Sequence, residues 1–396
     1  MKFSHSSNEI KSKTNEGYFI DEISDINELK TIKEKWKKFQ NHCEINIPFN
    51  TYDWYYAWWE NFRPSNSFTI YVVYIDETRG RICAILPFYK QGKTRNNKNI
   101  LATWSNTHSF RTGILCDKEH FKALDKIFTR LGNDLSWDSI HIPYLVADNS
   151  TENALKNILS KLRIQYLSTP GMISPVLELD SNWDEYFNKL GRKTRESLRR
   201  KSRKVLEKSN GSVEIYHGTN KELNKKLEDC WKISKNTWKH KIGSSIASDN
   251  DRIKFYEKIA NNENDWVVLA LLYIDNTPTA FEYNIIYNKT LYNLKLGYDQ
   301  NYKKYSPGIV LRLKMLEWAF SNNDINRFDY MGNAAEYKIM FSTGQVKHIN
   351  LTLYSRSLRH AILVLYRGKL RPVLSKMIRP LKEFLINVKK SNSLKH

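Results

Sequence analysis

The sequence predicts an α/β fold of the α+β type, in which two units each combine a mixed, mostly antiparallel sheet with flanking helices. The chain has 396 residues, which is more than one compact domain usually holds. Strand-like runs rich in β-branched and aromatic residues alternate with helical patterns along most of this length. Three consecutive strand patterns at 265–274, 279–287 and 290–298 are joined by short turns, which predicts an antiparallel meander.

The composition is that of a basic globular protein. Lys and Arg number 63 against 42 Asp and Glu, for a net charge of +21, and 41% of the residues are hydrophobic. This apolar content excludes a fully disordered chain. The longest apolar runs, 266–274 and 361–366, are far shorter than the roughly 20 residues that a membrane-spanning helix needs. The polar N-terminus shows no secretory signal, so we expect a cytoplasmic protein, with peripheral contact at the inner membrane face left open.

We expect residues 1–16 to form a flexible leader and residues 17–178 to form the first unit. Within that unit the patterns predict strands and helices in alternation. In chain order they are strand 17–24, helix 25–42, helix 51–62, strands 67–76, 81–89 and 112–116, helix 118–131, strand 138–143, helix 151–162 and strand 164–167.

The second unit is predicted at 179–355. A capping sequence at Ser181 opens a helix that runs on into a basic segment. The other predicted elements are strand 212–217, helices 221–238 and 251–260, the meander, helix 307–320, and strands 327–330 and 346–354. Residues 356–396 are predicted to form a basic, amphipathic helical tail.

Most of the positive charge lies in two segments. Residues 189–208 hold ten basic and two acidic side chains, and residues 356–396 hold eleven and one. Two such concentrated segments indicate defined surfaces for an anionic partner. In the first segment, Arg195 and Arg199 are candidate substrate-binding residues that would meet a nucleotide phosphate, a phosphorylated carrier or RNA; a solvated charged helix face is the alternative.

The tail has apolar residues at three- and four-residue spacing with Lys and Arg between them. A helix of this pattern lies on an anionic membrane surface or docks its apolar face on its own protein. Both alternatives stay open at the level of the sequence. The four cysteines, Cys43, Cys83, Cys116 and Cys230, are far apart without metal-ligand spacing, so no metal is expected.

The strongest local motif is Ser306-Pro307-Gly308, which opens the predicted helix 307–320 directly after a strand and a short loop. The first turn of a helix presents unpaired backbone N–H groups and a positive dipole end, which together bind phosphate groups. Gly308 allows a ligand to approach the backbone closely. Lys303, Lys304, Ser306, Gly308 and Ile309 are therefore candidate pyrophosphate-binding residues, although the same three residues also open ordinary helices.

The order of elements, a meander followed by a glycine-containing helix start and a strand ending in FDYMG, resembles the acyl-CoA-binding half of GNAT-fold acyltransferases. The chain is most similar to the CelD-type, cellulose-biosynthesis-associated acetyltransferase family, which in turn is similar in layout to Fem-type aminoacyltransferases with two GNAT-like units in tandem. The resemblance rests on segments 48–62, 86–91, 190–208, 236–246, 280–308 and 328–338 and covers about residues 20–355. The chain departs from the GNAT phosphate loop, Arg/Gln-x-x-Gly-x-Gly/Ala, because it has Lys303-Lys304-Tyr305-Ser306-Pro307-Gly308 in that place.

The resemblance implies transfer of an acyl group from acyl-CoA, such as acetyl-CoA, to an amine or hydroxyl of a small molecule, a sugar or an envelope precursor. Acyl transfer needs a base for the nucleophile and stabilisation of the oxyanion. Glu282 is the first candidate base, because strand alternation places it on the opposite face from Phe281 and Tyr283 and enclosure there would raise its pKa. A solvated strand glutamate is the alternative.

Five further residues are candidates for the site. Asp329 and Lys338 match positions of the resembled family, with an internal contact as the alternative for each. Tyr305 is a candidate proton donor for a leaving thiolate. Trp238 and Lys239, in the NTWK segment, are candidates for the acceptor pocket.

Three functions follow from these observations. The first is an acyl-CoA-dependent N- or O-acyltransferase. The second, within the same reaction type, is a Fem-like aminoacyltransferase that uses aminoacyl-tRNA, whose phosphates the basic helix would meet. The third is a non-catalytic module that binds a membrane surface or a nucleic acid.

Overall fold

A computed structural model describes residues 17–63, 67–91, 99–109, 111–134, 136–218 and 221–370. The predicted leader, 1–16, and most of the predicted tail lie outside these described residues. Within them the chain forms thirteen strands and thirteen α-helices, so the predicted α/β class is confirmed.

The strands range in length from two to fourteen residues. They are β1 (Phe19–Ile23), β2 (Phe68–Tyr74), β3 (Ile82–Gln91), β4 (Ile100–Thr103), β5 (Leu115–Cys116), β6 (Ser139–Val146), β7 (Gln165–Glu178), β8 (Gly211–His217), β9 (Val267–Ile274), β10 (Thr277–Tyr287), β11 (Thr290–Tyr298), β12 (Arg327–Asp329) and β13 (Gly344–Tyr354).

The helices flank the strands on both faces. They are α1 (Ile26–Thr31), α2 (Lys33–Gln40), α3 (Tyr52–Phe62), α4 (Ala123–Asn133), α5 (Ser150–Lys161), α6 (Trp183–Lys189), α7 (Arg192–Leu206), α8 (Lys221–Lys235), α9 (Trp238–Lys241), α10 (Asn250–Ala260), α11 (Pro307–Phe320), α12 (Glu336–Ile339) and α13 (Leu358–Leu365).

All thirteen strands belong to one mixed sheet. Its order is β1-β2-β3-β4-β6-β13-β7-β12-β11-β10-β9-β8, with β5 paired to β3. The pairs β4–β6 and β11–β12 are parallel, and the remaining pairs among the described residues are antiparallel, as expected for a mixed, mostly antiparallel sheet. The predicted meander is confirmed, because β9, β10 and β11 pair antiparallel in sequence order.

The middle of the sheet joins the two halves of the chain. Strand β13, near the end of the described chain, lies between β6 and β7 of the first half and pairs with both. The sequence predicted a strand only at 164–167, whereas β7 extends to Glu178. The prediction stopped early because Pro170, Gly171 and Pro175 interrupt the pattern of a central strand. In the fold these residues pair with or approach β13, and a Cβ at Gly171 would lie 2.9 Å from the His348 carbonyl oxygen.

Three apolar clusters cover the sheet. One combines α2 and α3 of the first half with α8, α10 and the meander, so that the rings of Trp54 and Phe255 meet edge to face at 5.1 Å between centroids. On the opposite face, α4 and α5 cover the first half, and α6, α7 and α11 cover the second. The aromatic helix α3 therefore stabilises the contact between the halves.

Two helices predicted as continuous are each broken in the fold. The predicted helix 25–42 is divided at Ile32 into α1 and α2. The helix predicted from Ser181 into the basic segment is divided at Leu190 and Gly191, which adopt extended ψ angles of 145° and 143°. Arg195 donates from its guanidinium to the carbonyl oxygens of Asn188, at 2.7 Å, and Leu190, which satisfies the free carbonyls at the end of α6.

Strand β11 diverges from its parallel neighbour β12. The two strands pair only over Thr290–Tyr292 and Arg327–Asp329, while β11 continues to Tyr298. A bulge at Leu294 accompanies this divergence, since Asn293 opposes Asn284 but Lys295 opposes Tyr283. The result is an opening in the sheet beside residues 293–298.

Residues 356–370, which include α13, are the described part of the predicted tail. They leave several apolar side chains exposed: Ile362, Leu365, Tyr366 and Leu370. Among the described residues, no helix combines the length and the apolar character needed to cross a bilayer.

Candidate active site

Two adjoining cavities occupy the opening beside β11. The first, here called the helix cavity, has a volume of about 370 Å³ and lies at the start of α11. The second, here called the lysine cavity, is also about 370 Å³ and lies between β11 and the turn after β12. Five residues line both cavities and form their common wall: Thr237, Trp238, Lys239, Leu296 and Tyr337. A ligand in one cavity therefore lies next to a ligand in the other.

The helix cavity is built around the first turn of α11. Ser306 precedes this turn in the left-handed conformation, with φ 52° and ψ 47°, and makes no side-chain cap bond. Pro307 follows at the first helical position, where the lack of an N–H has no cost. Ser306, Gly308, Ile309 and Lys303 all line the cavity. The start of the helix is thus an uncapped, positive end that faces an open space.

Two glycines shape the helix cavity. A Cβ at Gly308 would make an ordinary contact of 3.5 Å with Tyr298 Cδ1, so a larger side chain at position 308 would extend into the cavity. A Cβ at Gly297, in β11, would lie only 2.8 Å from Phe281 Cε1 and 2.9 Å from Thr237 Cγ2. Gly297 therefore allows α9 to approach the sheet closely.

Among the residues that the structure describes, the lysine cavity is lined by Lys239, Lys295 and Lys338 and by no Asp or Glu side chain. Lys239 Nζ donates to the Leu296 carbonyl oxygen at 3.1 Å, and Lys295 Nζ donates to the Thr107 carbonyl oxygen at 3.2 Å. Thr107 belongs to the first half of the chain and also lines the cavity. Both halves of the protein thus contribute to this wall.

Burial lowers the pKa of each of these lysines. The pKa of Lys295 falls from 10.5 to about 7 through burial and the nearby charges of Lys239 and Arg252. The pKa of Lys338 falls to about 8 through burial, Arg312 and Lys239, and Asp329 opposes the shift. Burial alone lowers the pKa of Lys239. The cavity wall is therefore positive and poorly hydrated, and its charge changes near neutral pH.

The turn after β12 forms one side of the lysine cavity through Tyr330, Met331 and Gly332. Met331 and Gly332 have positive φ angles of 49° and 62°. Asp329 Oδ1 accepts from the Met331 N–H at 2.8 Å. Lys338 Nζ donates to the Met331 carbonyl oxygen at 2.5 Å and to that of Asn333 at 3.2 Å. Two of the residues predicted for the site thus hold this turn in place.

Asp329 also links the two halves of the chain. Its carboxylate lies 2.5 Å from Arg111 Nη1, and both side chains are buried. Arg111 Nε donates to His348 Nε2 at 3.0 Å, and burial lowers the pKa of His348 to about 4, with Arg111 acting in the same direction. The imidazole is therefore neutral near pH 7 and accepts this hydrogen bond.

Glu282 lies behind the cavities and lines neither. Its Oε1 is 3.1 Å from Arg312 Nε in a fully buried pair between β10 and α11, and Asn293 donates to its Oε2 at 3.4 Å. Arg312 donates in turn to the Asn293 side-chain oxygen at 2.8 Å. Burial raises the pKa of Glu282 to about 7, and Arg312 opposes this shift. Arg312 lines the helix cavity and Asn293 lines the lysine cavity. Glu282 therefore contacts one lining residue of each cavity.

The structure brings together seven of the residues predicted for the site. Six line the helix cavity: Trp238, Lys239, Lys303, Ser306, Gly308 and Ile309. The seventh, Lys338, lines the lysine cavity.

Six other predicted residues line neither cavity. They are Glu282, Asp329, Lys304, Tyr305, Arg195 and Arg199. The Tyr305 ring lies 5.2 Å from Lys204 Nζ and 5.1 Å from Lys304 Nζ, outside the helix cavity. The Arg199 guanidinium lies over the Phe187 ring, 5.3 Å from its centroid, and Arg195 caps α6. Both arginines of α7 therefore make structural contacts with α6 and its end.

Sequence reasoning missed Asn293, Lys295, Arg312 and Tyr337. The signal for Arg312 is a single arginine among the apolar residues of α11. Tyr337 precedes the predicted Lys338 directly. No pattern pointed to Lys295, because the bulge at Leu294 changes the strand alternation at that point. Among the described residues, no group of three or more His, Cys, Asp or Glu side chains is placed to hold a metal ion.

A protein-family model matches part of the second half of the chain. Residues 192–339 match the model of a family described as an acetyltransferase (GNAT) domain. This segment contains the meander, α11 and all five residues of the common wall. The match indicates that the protein is an acyltransferase. A search of curated proteins finds no match.

Solved structures share the fold over most of the chain. A FemX structure aligns with a TM-score of 0.54 at 11% identity, covering 83% of this chain and 97% of that one. The C-terminal domain of an Agrobacterium fabrum protein described as a lysylphosphatidylglycerol synthetase aligns with a TM-score of 0.53 at 10% identity, covering 85% and 95%. A conserved protein of unknown function from Bacteroides thetaiotaomicron gives 0.52 at 10%, covering 82% and 97%. At these identities the likeness concerns the fold, which extends across both halves.

Proposed function

We propose that this protein transfers an acyl group from acyl-CoA to an amine or hydroxyl of a small acceptor. The observation that carries the proposal is the common wall of the two cavities. The helix cavity offers a phosphate-binding helix start, and the lysine cavity offers a polar space for a second reactant. Two substrates that enter from these sides meet at Lys239, Leu296 and Tyr337, which favours direct transfer between them.

The helix cavity is suited to the pyrophosphate of a coenzyme A thioester. The Gly308 N–H lies in the first turn of α11 and adds a donor to the positive dipole end of the helix, whereas the Ile309 N–H already donates to the Ser306 carbonyl oxygen at 3.0 Å. Lys303 adds a positive charge to the lining. The space that a side chain at Gly308 would fill is the space that the ligand needs.

The reaction is a nucleophilic substitution at the thioester carbonyl. The acceptor nitrogen or oxygen forms a bond to the carbonyl carbon, the carbon–sulfur bond breaks, and the thiolate leaves with the electron pair. The acceptor loses one proton, for which we propose Lys338 as the base. A neutral lysine amine has two N–H groups and one lone pair, and Lys338 uses two donors on the Met331 and Asn333 carbonyls. Its lone pair remains for the incoming proton, and a pKa of about 8 leaves a useful neutral fraction near neutrality.

Glu282 and Asp329 are then positioning residues. Glu282 holds Arg312 at the wall of the helix cavity, and Asp329 holds the turn that presents Met331 and Gly332 to the lysine cavity. Neither carboxylate lines a cavity, so neither takes the proton directly in this mechanism.

Aminoacyl-tRNA is the second candidate donor. The basic helix α7 lies beside the helix cavity, since Lys204 Nζ donates to the Lys304 carbonyl oxygen at 3.2 Å. The positive surface therefore continues from α7 to Lys303. The fold is shared with FemX and with a protein described as a lysylphosphatidylglycerol synthetase, which is consistent with aminoacyl transfer.

Binding measurements distinguish the two donors. Acetyl-CoA at 100 times its Kd is expected to stabilise the protein by about 2.7 kcal/mol, with release of free thiol when a suitable amine is added. A protein stabilised only by tRNA, with a steep loss of affinity as salt rises, would support the second donor and contradict the first. If neither ligand binds, the enzymatic proposal fails and the membrane or nucleic-acid binding module becomes the better hypothesis.

A further inference from the structure

Exposed apolar side chains form a stripe along α13 and the π-helical turn Tyr366–Leu370 that follows it. Ile362, Leu365, Tyr366 and Leu370 are 59%, 50%, 47% and 50% exposed. Their positions, i, i+3, i+4 and i+8, place them on one side of the helix. Large apolar side chains that are exposed together, rather than singly, mark a contact surface for another molecule. These four side chains are here called the α13 stripe.

The opposite side of α13 faces the protein. His360 is 3% exposed, and its ring lies 5.4 Å from the Tyr354 ring. The Ser357 hydroxyl oxygen caps the helix by accepting from the His360 N–H at 3.2 Å. A Cβ at Gly368 would lie 3.5 Å from Leu167 Cδ1, on β7. These contacts hold α13 against the sheet and leave the α13 stripe turned outward.

The charge around the α13 stripe is positive. Residues 356–370 contain four Arg or Lys and no Asp or Glu, and residues 371–396 contain seven and one. Arg356 and Arg367 are both exposed. Residues 371–396 also continue the apolar spacing of three and four residues. The stripe therefore belongs to a segment that is both apolar and cationic, a combination typical of helices that lie on anionic membrane surfaces.

We infer that the α13 stripe binds the surface of an anionic membrane, with residues 371–396 extending the contact. In this arrangement the apolar side chains enter the boundary between head groups and acyl chains, and the basic side chains meet the lipid phosphates. The inference goes beyond the proposed acyl transfer, because no described residue of α13 lines either cavity.

The charge of the segment favours a membrane over the other occupants of the α13 stripe. A second copy of the chain would bring two cationic stripes together. Residues 371–396, folded back onto the stripe, would place seven more basic residues beside Arg356 and Arg367. Repulsion between like charges opposes both arrangements. An anionic lipid surface balances the positive charge and removes the apolar side chains from water at the same time.

Sedimentation with lipid vesicles tests the inference. The full-length protein is mixed with vesicles of phosphatidylcholine and phosphatidylglycerol in equal parts, and separately with vesicles of phosphatidylcholine alone. Affinity for the mixed vesicles is expected to be at least about tenfold higher than for the neutral vesicles and to fall as salt rises, because the basic side chains are attracted to anionic lipids. Failure to bind the mixed vesicles would overturn the inference.

Substitution within the α13 stripe separates apolar insertion from attraction by charge alone. Ile362→Ser combined with Leu365→Ser is expected to weaken binding to the mixed vesicles at least about tenfold, because the two apolar side chains no longer enter the lipid. Ile242→Ser is the matched control, since Ile242 is 65% exposed and lies outside the stripe, at the end of α9. Unchanged binding in the double variant, or an equal loss in the control, would contradict the inference.

Deletion of residues 371–396 and the oligomeric state distinguish the other occupants. Weaker vesicle binding after the deletion supports the inference, whereas stronger binding would show that these residues cover the stripe. A dimer that the double substitution converts to a monomer would assign the stripe to a second copy and overturn the inference. Stabilisation by acetyl-CoA is expected to be the same in the double variant, so that failure of membrane binding leaves the proposed acyl transfer untouched.

Discussion

Arg312 Nε lies 3.1 Å from Glu282 Oε1, and both side chains are at most 2% exposed. The pair lies between β10 and α11, directly behind the wall of the helix cavity. Removal of one partner from such a buried pair leaves an uncompensated charge. Loss of either partner alone would therefore destabilise the fold, and the pair also fixes the Arg312 side chain that lines the helix cavity.

Glu282→Gln is expected to lower kcat at least about tenfold and to weaken acetyl-CoA binding, because Arg312, which lines the helix cavity, loses its charged partner. The pH dependence of kcat separates a positioning role from a role as base. If Glu282 only positions Arg312, the variant keeps the same dependence of kcat on pH at a lower kcat. If kcat of the variant no longer rises with pH, Glu282 would instead be the base. Glu178→Gln is the matched control, since Glu178 pairs with Arg327 where both side chains are over 40% exposed.

Gly308→Phe is expected to weaken acetyl-CoA binding at least about tenfold, because the side chain extends into the helix cavity. Gly308→Ala is the control, since its Cβ would make only a 3.5 Å contact with Tyr298. Isothermal titration calorimetry on both variants measures the effect. Normal donor affinity in a folded Gly308→Phe protein would show that the donor phosphates bind elsewhere.

The ionisation of Lys338 is expected to determine how kcat changes with pH. Its pKa of about 8 means that the amine is mostly protonated below this pH, and a base must be neutral. We therefore expect kcat to rise with pH and to level off above about 8. Lys338→Arg keeps donors for the Met331 and Asn333 carbonyls but cannot lose its proton, so it is expected to lose about a hundredfold in kcat while it remains folded. A Lys338→Arg enzyme with normal kcat and the same profile would exclude Lys338 as the base.

Asp329→Asn is expected to lower the free energy of unfolding by about 3–5 kcal/mol, because it leaves Arg111 buried without its charged partner. Asp148→Asn is the control, since Asp148 pairs with Lys347 at the surface, where both side chains are more than half exposed; a loss below about 1 kcal/mol is expected there. Urea unfolding followed by circular dichroism measures both changes. Equal, small losses in the two variants would contradict a structural role for the Arg111–Asp329 pair.

The tandem arrangement, with boundaries at 178 and 355, stays a prediction. The family match covers residues 192–339, within the predicted second unit. The sheet is continuous through β7 and β13, so the two predicted units share one set of paired strands. Deletion variants that end near 178 would show whether the first unit folds alone.

Local signals predicted the elements that are defined by local interactions. Helix α11 begins at Pro307 and ends at Phe320 as expected, because Pro is favoured at the first helical position. The meander was evident from its short turns and strand-like runs. The breaks at Ile32 and at Leu190–Gly191, and the full length of β7, were not evident, because tertiary contacts such as Arg195 on the end of α6 and β13 beside β7 decide them.

The sequence by itself determined that the chain is a basic α/β protein and that a helix begins at Pro307. It also predicted a phosphate site at Gly308 with Trp238, Lys239 and Lys338 near it, and that site stays a prediction. Only the tertiary structure decided which charged groups face the cavities and which are paired inside. Composition and spacing report neither burial nor partners. Glu282 and Asp329 are enclosed with arginines from distant segments, whereas Lys295 lies in a cavity wall without a carboxylate, because the bulge and the divergence of β11 from β12 open the sheet at that point.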